Sequence, residues 1–185
     1  MTPTITYTEE LLARCRKGDQ RAQLEIYNKY YKAMYNTALR IVNDTAEAED
    51  VMQEAFIKAF TKLDSFQGKS TFGAWLKKIT VNLSINSINK HSRYQNVPYE
   101  DALKYEAEEP EGIDIREDEA NTKVQKVLRA LNGLKESYRI ILTLHLIEGY
   151  DYDEICEIME ITAANCRTSI SRAKESLRKK LTGHD

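Results

Sequence analysis

Residues 151–181, DYDEICEIMEITAANCRTSISRAKESLRKKL, decide the fold of the C-terminal part of the chain. Apolar residues recur in this stretch at steps of three and four, the spacing of one face of an α-helix. The first stripe is Tyr152, Ile155, Cys156 and Met159, and the second is Cys166, Ile170, Ala173 and Leu177. Between the stripes, Glu160–Thr162 leave room only for a tight turn. A short helix, a brief turn and a longer helix with a basic exterior predict a helix-turn-helix.

The second helix of this motif carries a basic face opposite its apolar stripe. From Thr162 to Leu181 there are six Lys and Arg residues and one acid, Glu175. Arginine can donate two parallel hydrogen bonds to guanine in the major groove, and hydroxyls can contact bases or phosphates. The predicted DNA contacts are Arg167, Thr168, Ser171, Arg172 and Lys174.

A solvated basic helix is the alternative interpretation of this face. Cations near a helix C-terminus are favoured by the helix dipole, which accounts for Lys179 and Lys180. Arg167 and Arg172 lie near the start of the predicted helix, where positive charge is unfavourable. We therefore favour DNA contact for these two arginines.

The rest of the C-terminal half predicts two more helices, one from about Glu117 and one ending near Gly149. Their apolar positions are Val124, Val127, Leu128 and Leu131 in the first helix, and Ile140, Ile141, Leu144 and Ile147 in the second. Before them, residues 94–116 contain Pro, Gly and acids without periodicity, and residues 94–119 hold 2 Lys and Arg against 10 Asp and Glu. This composition predicts a flexible, self-repelling acidic linker.

The pattern in residues 1–93 predicts a helical bundle. A first helix begins at Glu9, after Thr8 as a candidate N-cap, and ends at Gly18. A second, long helix runs from Asp19 to Val42. Its apolar stripe is Leu24, Tyr27, Tyr31, Met34, Ala38 and Ile41.

Two further helices complete the predicted bundle. Asp44 stands three residues before Glu47, as at the start of a capping box. The third helix then buries Ala48, Val51, Met52, Ala55, Ala59 and Leu63. Residues 67–71 break the pattern, with Ser70 as the candidate N-cap of a fourth helix that extends to about Arg93. The fourth helix buries Phe72, Trp75, Leu76, Ile79 and Leu83.

Two polar strips on these helices are candidate binding surfaces. The strip on the fourth helix is Lys78, Asn82, Asn86, Lys90 and Arg93. Asparagine can recognise the edges of exposed bases while cations follow the phosphates, although a merely polar outer face explains this strip equally well. The strip on the third helix is Asp50, Gln53, Glu54 and Ile57, a candidate protein-binding face. For Glu47 and Glu49, stabilisation of the helix start is a sufficient explanation.

The composition excludes several classes of protein. With 7 Gly and 3 Pro in 185 residues, the chain is expected to be mostly helical. It contains no run of 18 apolar residues and no secretory signal, so we expect no membrane insertion and a cytoplasmic location. No nucleotide-binding, metalloprotease or esterase motif is present, so the chain is not expected to be an enzyme. Three dispersed cysteines (Cys15, Cys156, Cys166) and three distant histidines predict reduced thiols, no metal site and no cofactor.

Together these segments resemble the extracytoplasmic-function group of the sigma-70 family of bacterial RNA polymerase sigma factors. Residues 44–56, DTAEAEDVMQEAF, are similar to the family's polymerase-clamp-binding helix, and residues 72–82, FGAWLKKITVN, to its promoter-melting helix. Residues 149–156, GYDYDEIC, together with residues 161–174 resemble its reader of the minus-thirty-five element. The segments follow the family order over nearly the whole chain.

The resemblance implies an all-α fold of two small helical domains. Residues 1–93 would be a region 2-like domain, residues 94–116 the linker, and residues 117–185 a region 4-like helix-turn-helix domain. Core polymerase would be bound by Asp50, Gln53 and Glu54. Residues 67–71 would help capture a base flipped from the minus-ten element. The implied minus-ten contacts are Ser70, Phe72, Lys78, Asn82, Asn86 and Lys90.

The implied function is to direct core polymerase to promoters and to promote DNA melting at initiation. The implied partners are bacterial RNA polymerase core enzyme, promoter DNA and an anti-sigma factor. The acidic linker would thread toward the polymerase active site as a mimic of nucleic acid, or would serve only as a solvated tether. Two details depart from the family pattern: Glu160 stands where the family often has glycine, and Ser169 replaces a usual cation.

Two alternatives to a sigma factor follow from the residues alone. The first is a helix-turn-helix transcription regulator that is not a polymerase subunit. The second is a helical adaptor whose acidic face binds proteins and whose basic faces are only solvated.

Overall fold

The computed structural model describes residues 7–94 and 119–183, and within these ranges regular structure is entirely helical. The helices are α1 (Tyr7–Arg16), α2 (Gln20–Val42), α3 (Thr45–Thr61), α4 (Phe72–Tyr94), α5 (Glu119–Asn132), α6 (Glu136–Leu142), α7 (Tyr152–Met159) and α8 (Ala163–Thr182). A 3-10 turn (Leu63–Ser65) follows α3, and a π-helical turn (Thr143–Ile147) continues α6. The chain divides into two compact units, Met1–His91 and Ser92–Asp185. The predicted linker lies, beyond Tyr94, outside the described residues.

The first unit is built on α2, which packs against α1 and α3. Leu11, Ile26, Ala55 and Leu76 are among the side chains that fill its core. The predicted α2 stripe is partly wrong, because Leu24 is 59% exposed and Ile26 takes the buried position instead. A helix held between two neighbours buries a wider arc than one stripe, and the sequence does not show where that arc is centred.

Side-chain caps fix where the helices of the first unit begin. Asp19 caps α2 by accepting hydrogen bonds from the backbone N–H groups of Arg21 and Ala22 at 2.9 and 3.2 Å. The hydrogen bond that Arg14 donates is the main reason why the pKa of the Asp19 carboxyl lies below its ordinary value. The bond from the Ala22 N–H is the second cause and acts in the same direction. Asp44 caps α3 as predicted, with its Oδ1 2.8 Å from the backbone nitrogen of Glu47.

Two predicted N-caps are wrong. Thr8 lies inside α1, which begins one residue earlier, and its hydroxyl accepts a hydrogen bond from Lys29. At the start of α4 the cap is Thr71 instead of Ser70, because the backbone N–H of Ala74 donates to Thr71 Oγ1 at 3.3 Å. Ser70 and Thr71 are adjacent hydroxyl residues with similar capping ability, so the sequence alone does not choose between them.

The second unit packs α6, α7 and α5 against α8. Ile141, Leu144, Ile155 and Ile170 are fully buried in its core. The π-helical turn closes with a hydrogen bond from the Glu148 N–H to the Thr143 carbonyl at 2.9 Å. The extra residue in this turn interrupts the α-helical period, and Leu146 and Ile147 at the end of the turn are 50% and 38% exposed. Val124 and Val127 on α5 are also exposed, contrary to a fully buried stripe.

None of the described helices is long and apolar enough to cross a membrane.

Candidate functional site

The helix-turn-helix of the second unit is formed by α7 and α8. Asp151 and Glu154 make a complete capping box at the start of α7. Glu160 ends α7 in the left-handed backbone conformation, and Thr162 caps α8 by accepting a hydrogen bond from the Asn165 N–H at 3.3 Å. The connection is therefore fixed at both ends, which sets the direction in which α8 leaves the turn.

The apolar stripe of α8 anchors the helix in the second unit. All four predicted residues, Cys166, Ile170, Ala173 and Leu177, are buried. The thiol of Cys166 lies 3.8 Å from the carbonyl oxygen of Tyr152 on α7. Burial, the main cause, and a hydrogen bond with Cys156, the second, raise the pKa of the Cys166 thiol to about 11. The thiol is thus neutral at physiological pH and acts as a small apolar contact between the two helices.

The opposite face of α8 presents the predicted DNA contacts. Arg167, Thr168, Ser171 and Arg172 are exposed, and Lys174 is half-buried. The Thr168 hydroxyl donates to the carbonyl of Ala164 at 2.9 Å, which leaves its oxygen lone pairs free to accept. Among the described residues no acidic side chain pairs with Arg167 or Arg172. By contrast, Lys179 at the far end of α8 pairs with Glu175 at 3.3 Å.

The polar strip of α4 is also on the surface. Lys78, Asn82, Asn86 and Lys90 are exposed at steps of four along α4. Arg93 lies within the same helix, but its side chain is outside the described residues. The five residues 67–71 that precede α4 are all exposed. The loop and the strip are therefore consecutive in the chain and both accessible to a ligand.

An aromatic cluster lies at the base of this loop. Phe66 and Phe72, which flank residues 67–71, meet edge to face with ring centroids 5.8 Å apart. Trp75 contacts both rings, at 5.2 and 5.7 Å. Phe72 is only 4% exposed, which contradicts its predicted direct contact with DNA. The same burial confirms the predicted place of Phe72 in the apolar stripe of the fourth helix.

The candidate protein-binding face of α3 is exposed as a continuous surface. Asp50, Gln53 and Glu54 are exposed, and Ile57 in the next turn is 68% exposed. The Gln53 amide donates to Glu49 at 3.3 Å. An exposed large apolar side chain beside exposed acids offers a partner both an apolar contact and opposite-charge pairing.

Two contacts near these surfaces were not predicted. The Ser87 hydroxyl of α4 donates a hydrogen bond to the Glu47 carboxylate at the start of α3, so Glu47 does more than stabilise its own helix. The Tyr30 ring of α2 lies directly over Gly73 of α4. These pairs are 40 and 43 residues apart in sequence, and no local pattern indicates them. A glycine in the first turn of a helix was the only available signal, since glycine there is costly unless something needs the space.

No group of three potential metal-ligating side chains is found in the part of the chain that the structure describes.

Comparison with known proteins gives the same two regions. The family model Sigma-70 region 2 matches residues 26–94, and the model Sigma-70, region 4 matches residues 124–177. The RNA polymerase sigma-H factor of Pseudomonas aeruginosa is 34% identical over 183 residues, covering 94% of this chain and 93% of the relative. The ECF RNA polymerase sigma factor SigW of Bacillus subtilis is 32% identical, covering 92% and 94%.

Solved structures share the fold. The sigma factor RpoE of Bartonella quintana, solved in complex with the anti-sigma factor NepR, has a TM-score of 0.57 at 22% identity and covers 85% of this chain and 95% of its own. CnrH, solved in complex with the cytosolic domain of CnrY, has a TM-score of 0.54 at 20% identity, with 95% and 97% covered. Family membership decides against the transcription regulator and the adaptor. The chain belongs to the extracytoplasmic-function group of the sigma-70 family and is an RNA polymerase sigma factor.

Proposed function

We propose that the two units of this sigma factor have different roles in promoter recognition. The first unit binds core polymerase through Asp50, Gln53 and Glu54 and captures unpaired bases of the minus-ten element. The second unit reads the minus-thirty-five element with α8. The boundaries that we propose are residues 1–93 and 117–185, with the acidic linker between them.

The observation that carries the proposal is the exposed positive charge in the first half of α8, which has no acidic partner among the described residues. Arg167 and Arg172 are exposed, have no acidic partner among the described residues, and lie in the first half of α8. A duplex in contact with this face would give both guanidinium groups the anionic or guanine partners that they lack. Recognition helices of helix-turn-helix proteins contact base edges with their N-terminal residues, as this arrangement requires.

The minus-ten role rests on the exposed loop and the α4 strip. Bases that leave the duplex can be recognised by amide side chains, here Asn82 and Asn86. Lys78 and Lys90 flank them at one helical turn on either side and would contact the phosphates. Ser70 in the loop adds an exposed hydroxyl. Phe72 is not included, because it is buried.

A protein antagonist is part of the proposal. The sigma factor RpoE was solved with the anti-sigma factor NepR, and this chain shares its fold. We propose that an anti-sigma factor also binds this chain and competes with core polymerase for the α3 face. A candidate antagonist that displaces the chain from core polymerase supports the competition. If an α3 variant that still binds core polymerase is no longer displaced by the same antagonist, the α3 face is the shared surface.

The experiment that tests the second-unit assignment uses Arg167→Ala and Arg172→Ala in the full chain. Each is expected to weaken recognition of the upstream element by about 1–3 kcal/mol if its contact to guanine is bidentate. Transcription by reconstituted holoenzyme is compared on a cognate promoter with and without its minus-thirty-five element. Lys179→Ala is the matched control, because Lys179 is an exposed cation at the other end of α8 with an acidic partner. Parental activity of both arginine variants on the intact promoter would contradict the assignment.

A further inference from the structure

The loop of residues 67–71 is closed at its base by aromatic rings. Phe66 precedes the loop and Phe72 follows it, and their rings meet edge to face at 5.8 Å with an interplanar angle of 86°. Trp75 packs against both rings. These contacts hold the two ends of an otherwise exposed loop at a fixed separation. The tip of the loop can therefore move more easily than its two ends, which together form the mouth of the loop.

Tyr30 connects this aromatic cluster to the long helix α2. Its ring lies 5.6 Å from that of Phe72 at an interplanar angle of 62°, on the remaining side of the cluster. Tyr30 is half-buried, and the ammonium of Lys29 lies 5.6 Å from its ring centroid. The position of Phe72 is thus set from α2 as well as from its own helix.

Gly73 makes this contact possible. A Cβ atom built on Gly73 would lie 2.9 Å from Tyr30 Cε1, a separation that real Cβ atoms essentially never show. The next ring atoms, Cδ1 and Cζ, would lie 3.6 and 3.8 Å away. Gly73 is helical, so its backbone does not itself require glycine. The missing side chain instead leaves the space that the Tyr30 ring occupies.

We propose that Tyr30 is a positioning residue for base capture at the minus-ten element. By packing over Gly73 and against Phe72, it fixes the mouth of the loop that would receive the flipped base. The inference deepens the proposed minus-ten role of the loop and rests on it. Tyr30 touches no DNA in this account and acts through Phe72 and the loop.

The proposal predicts a loss of base discrimination without an equal loss of affinity. Selection of one base depends on hydrogen bonds held in a narrow geometry, which a loosened loop cannot maintain. Attraction of the phosphates by Lys78 and Lys90 does not depend on the loop mouth. A merely structural role of Tyr30 would reduce the folded fraction, which lowers the apparent affinity for all four oligonucleotides by the same factor and leaves the base preference unchanged.

The test uses holoenzyme reconstituted from the full chain and core polymerase. Affinity is measured for four short single-stranded minus-ten oligonucleotides that differ only in the base at the flipped position. With the parent, one base is preferred by roughly tenfold or more, as expected for a hydrogen-bonded base edge. Tyr30→Ala is expected to reduce this preference roughly tenfold while its mean affinity over the four oligonucleotides changes by less than about threefold.

Three variants separate positioning from packing. Tyr30→Phe keeps the ring and should keep the preference. Tyr31→Ala, the matched control, removes a neighbouring half-buried tyrosine that stacks on Tyr27 instead, and should keep it too. Gly73→Ala should lower the preference in the same direction but by less than Tyr30→Ala, because its methyl group pushes the Tyr30 ring aside. In the double variant the ring is gone, so Gly73→Ala should cause no further loss.

Each outcome decides a different statement. Parental base preference in both Tyr30→Ala and Gly73→Ala overturns the positioning role and leaves the proposed function intact. Equal losses in Tyr30→Ala and Tyr31→Ala also overturn it, because general packing then explains the effect. A parent with no base preference at all removes the proposed minus-ten role of the loop, and the positioning role with it. If Tyr30→Ala does not fold, Tyr30→Phe, Tyr31→Ala and Gly73→Ala give the same comparison.

Discussion

Glu160 lies in the turn of the helix-turn-helix with φ 54° and ψ 43°, in the left-handed region. A residue with a Cβ atom is strained there by roughly 1–2 kcal/mol, and only glycine, with Asn and Asp to a lesser degree, adopts it easily. The other non-glycine residue at positive φ in the described chain is Asn43, which ends α2. The family resemblance implies that glycine is common at the position of Glu160, and the backbone conformation supplies the physical reason.

Glu160→Gly is therefore expected to stabilise the second unit by about 0.5–1 kcal/mol, because relief of the strain exceeds the entropy that glycine adds to the unfolded chain. Hydrogen exchange at the amides of α7 and α8, measured by mass spectrometry, reports the change. Glu160→Ala keeps the strain while it removes the charge, so it should give no gain. If Glu160→Ala gains as much protection over the parent as Glu160→Gly does, the side-chain charge, and not the backbone conformation, limits stability.

At the scale of single elements, α3 has a buried face that packs in the core and an exposed face that is proposed to bind a partner. Ala48, Val51 and Ala55 pack into the first unit, and Asp50, Gln53 and Glu54 on the other side are exposed. The two sets do not overlap, so the outer face can be changed without disturbing the core.

We expect Asp50→Lys or Glu54→Lys to abolish binding to core polymerase with little effect on folding. The introduced cations would face whatever basic surface the partner offers to these acids. A pull-down titration against core enzyme measures affinity, and the far-ultraviolet circular dichroism spectrum reports the helices. Asp64→Lys is the control, because Asp64 is a strongly exposed acid of the same unit outside α3. Unchanged affinity of both α3 variants would contradict the assignment of this face.

How far the sequence predicts the buried face of a helix depends on how sharply its polar residues mark the exposed face. The stripe of α8 was predicted completely, because the charged residues of this helix leave one uninterrupted apolar face. On α2, which lies between α1 and α3, Leu24 was wrongly expected to be buried. The π-helical turn after α6 shifts the helical period by one residue, and for this reason Ile147 is more exposed than its spacing suggests.

The residues of the candidate sites also fall into those that the sequence predicts and those that it does not. Exposed polar residues such as Arg167, Asn82 and Glu54 were predictable, because each lies off an apolar stripe. The contacts of Tyr30 with Gly73 and of Glu47 with Ser87 were not predictable. They depend on how distant helices meet, which no local spacing encodes.

At the scale of the whole molecule, charge is unevenly distributed along the sequence. Residues 1–93 hold 14 Lys and Arg against 10 Asp and Glu, and residues 120–185 hold 11 against 9. The acids of the predicted linker thus separate two mildly basic blocks. A strongly acidic segment would be repelled by a duplex bound to either block, so it is expected to run away from promoter DNA.

Replacing the five acids Glu106, Glu108, Glu109, Glu111 and Asp114 with Ser distinguishes the two interpretations of the linker. Binding of each DNA element by its own unit is expected to be unimpaired, because none of the five belongs to the proposed contacts. If the linker mimics nucleic acid in the polymerase, holoenzyme affinity and initiation should both fall. Parental values for both would leave only the tether. A variant in which five other exposed acids become Ser controls for net charge.

The central claim is that this chain gives core RNA polymerase its promoter preference, and transcription with purified components tests it most directly. Core enzyme, with and without the chain, is presented with a pool of bacterial genomic fragments, and the transcript starts are mapped. The account predicts starts that require the chain and share two upstream sequence elements, at the minus-ten and minus-thirty-five positions. The same starts with and without the chain, or stimulation without shared elements, would contradict it.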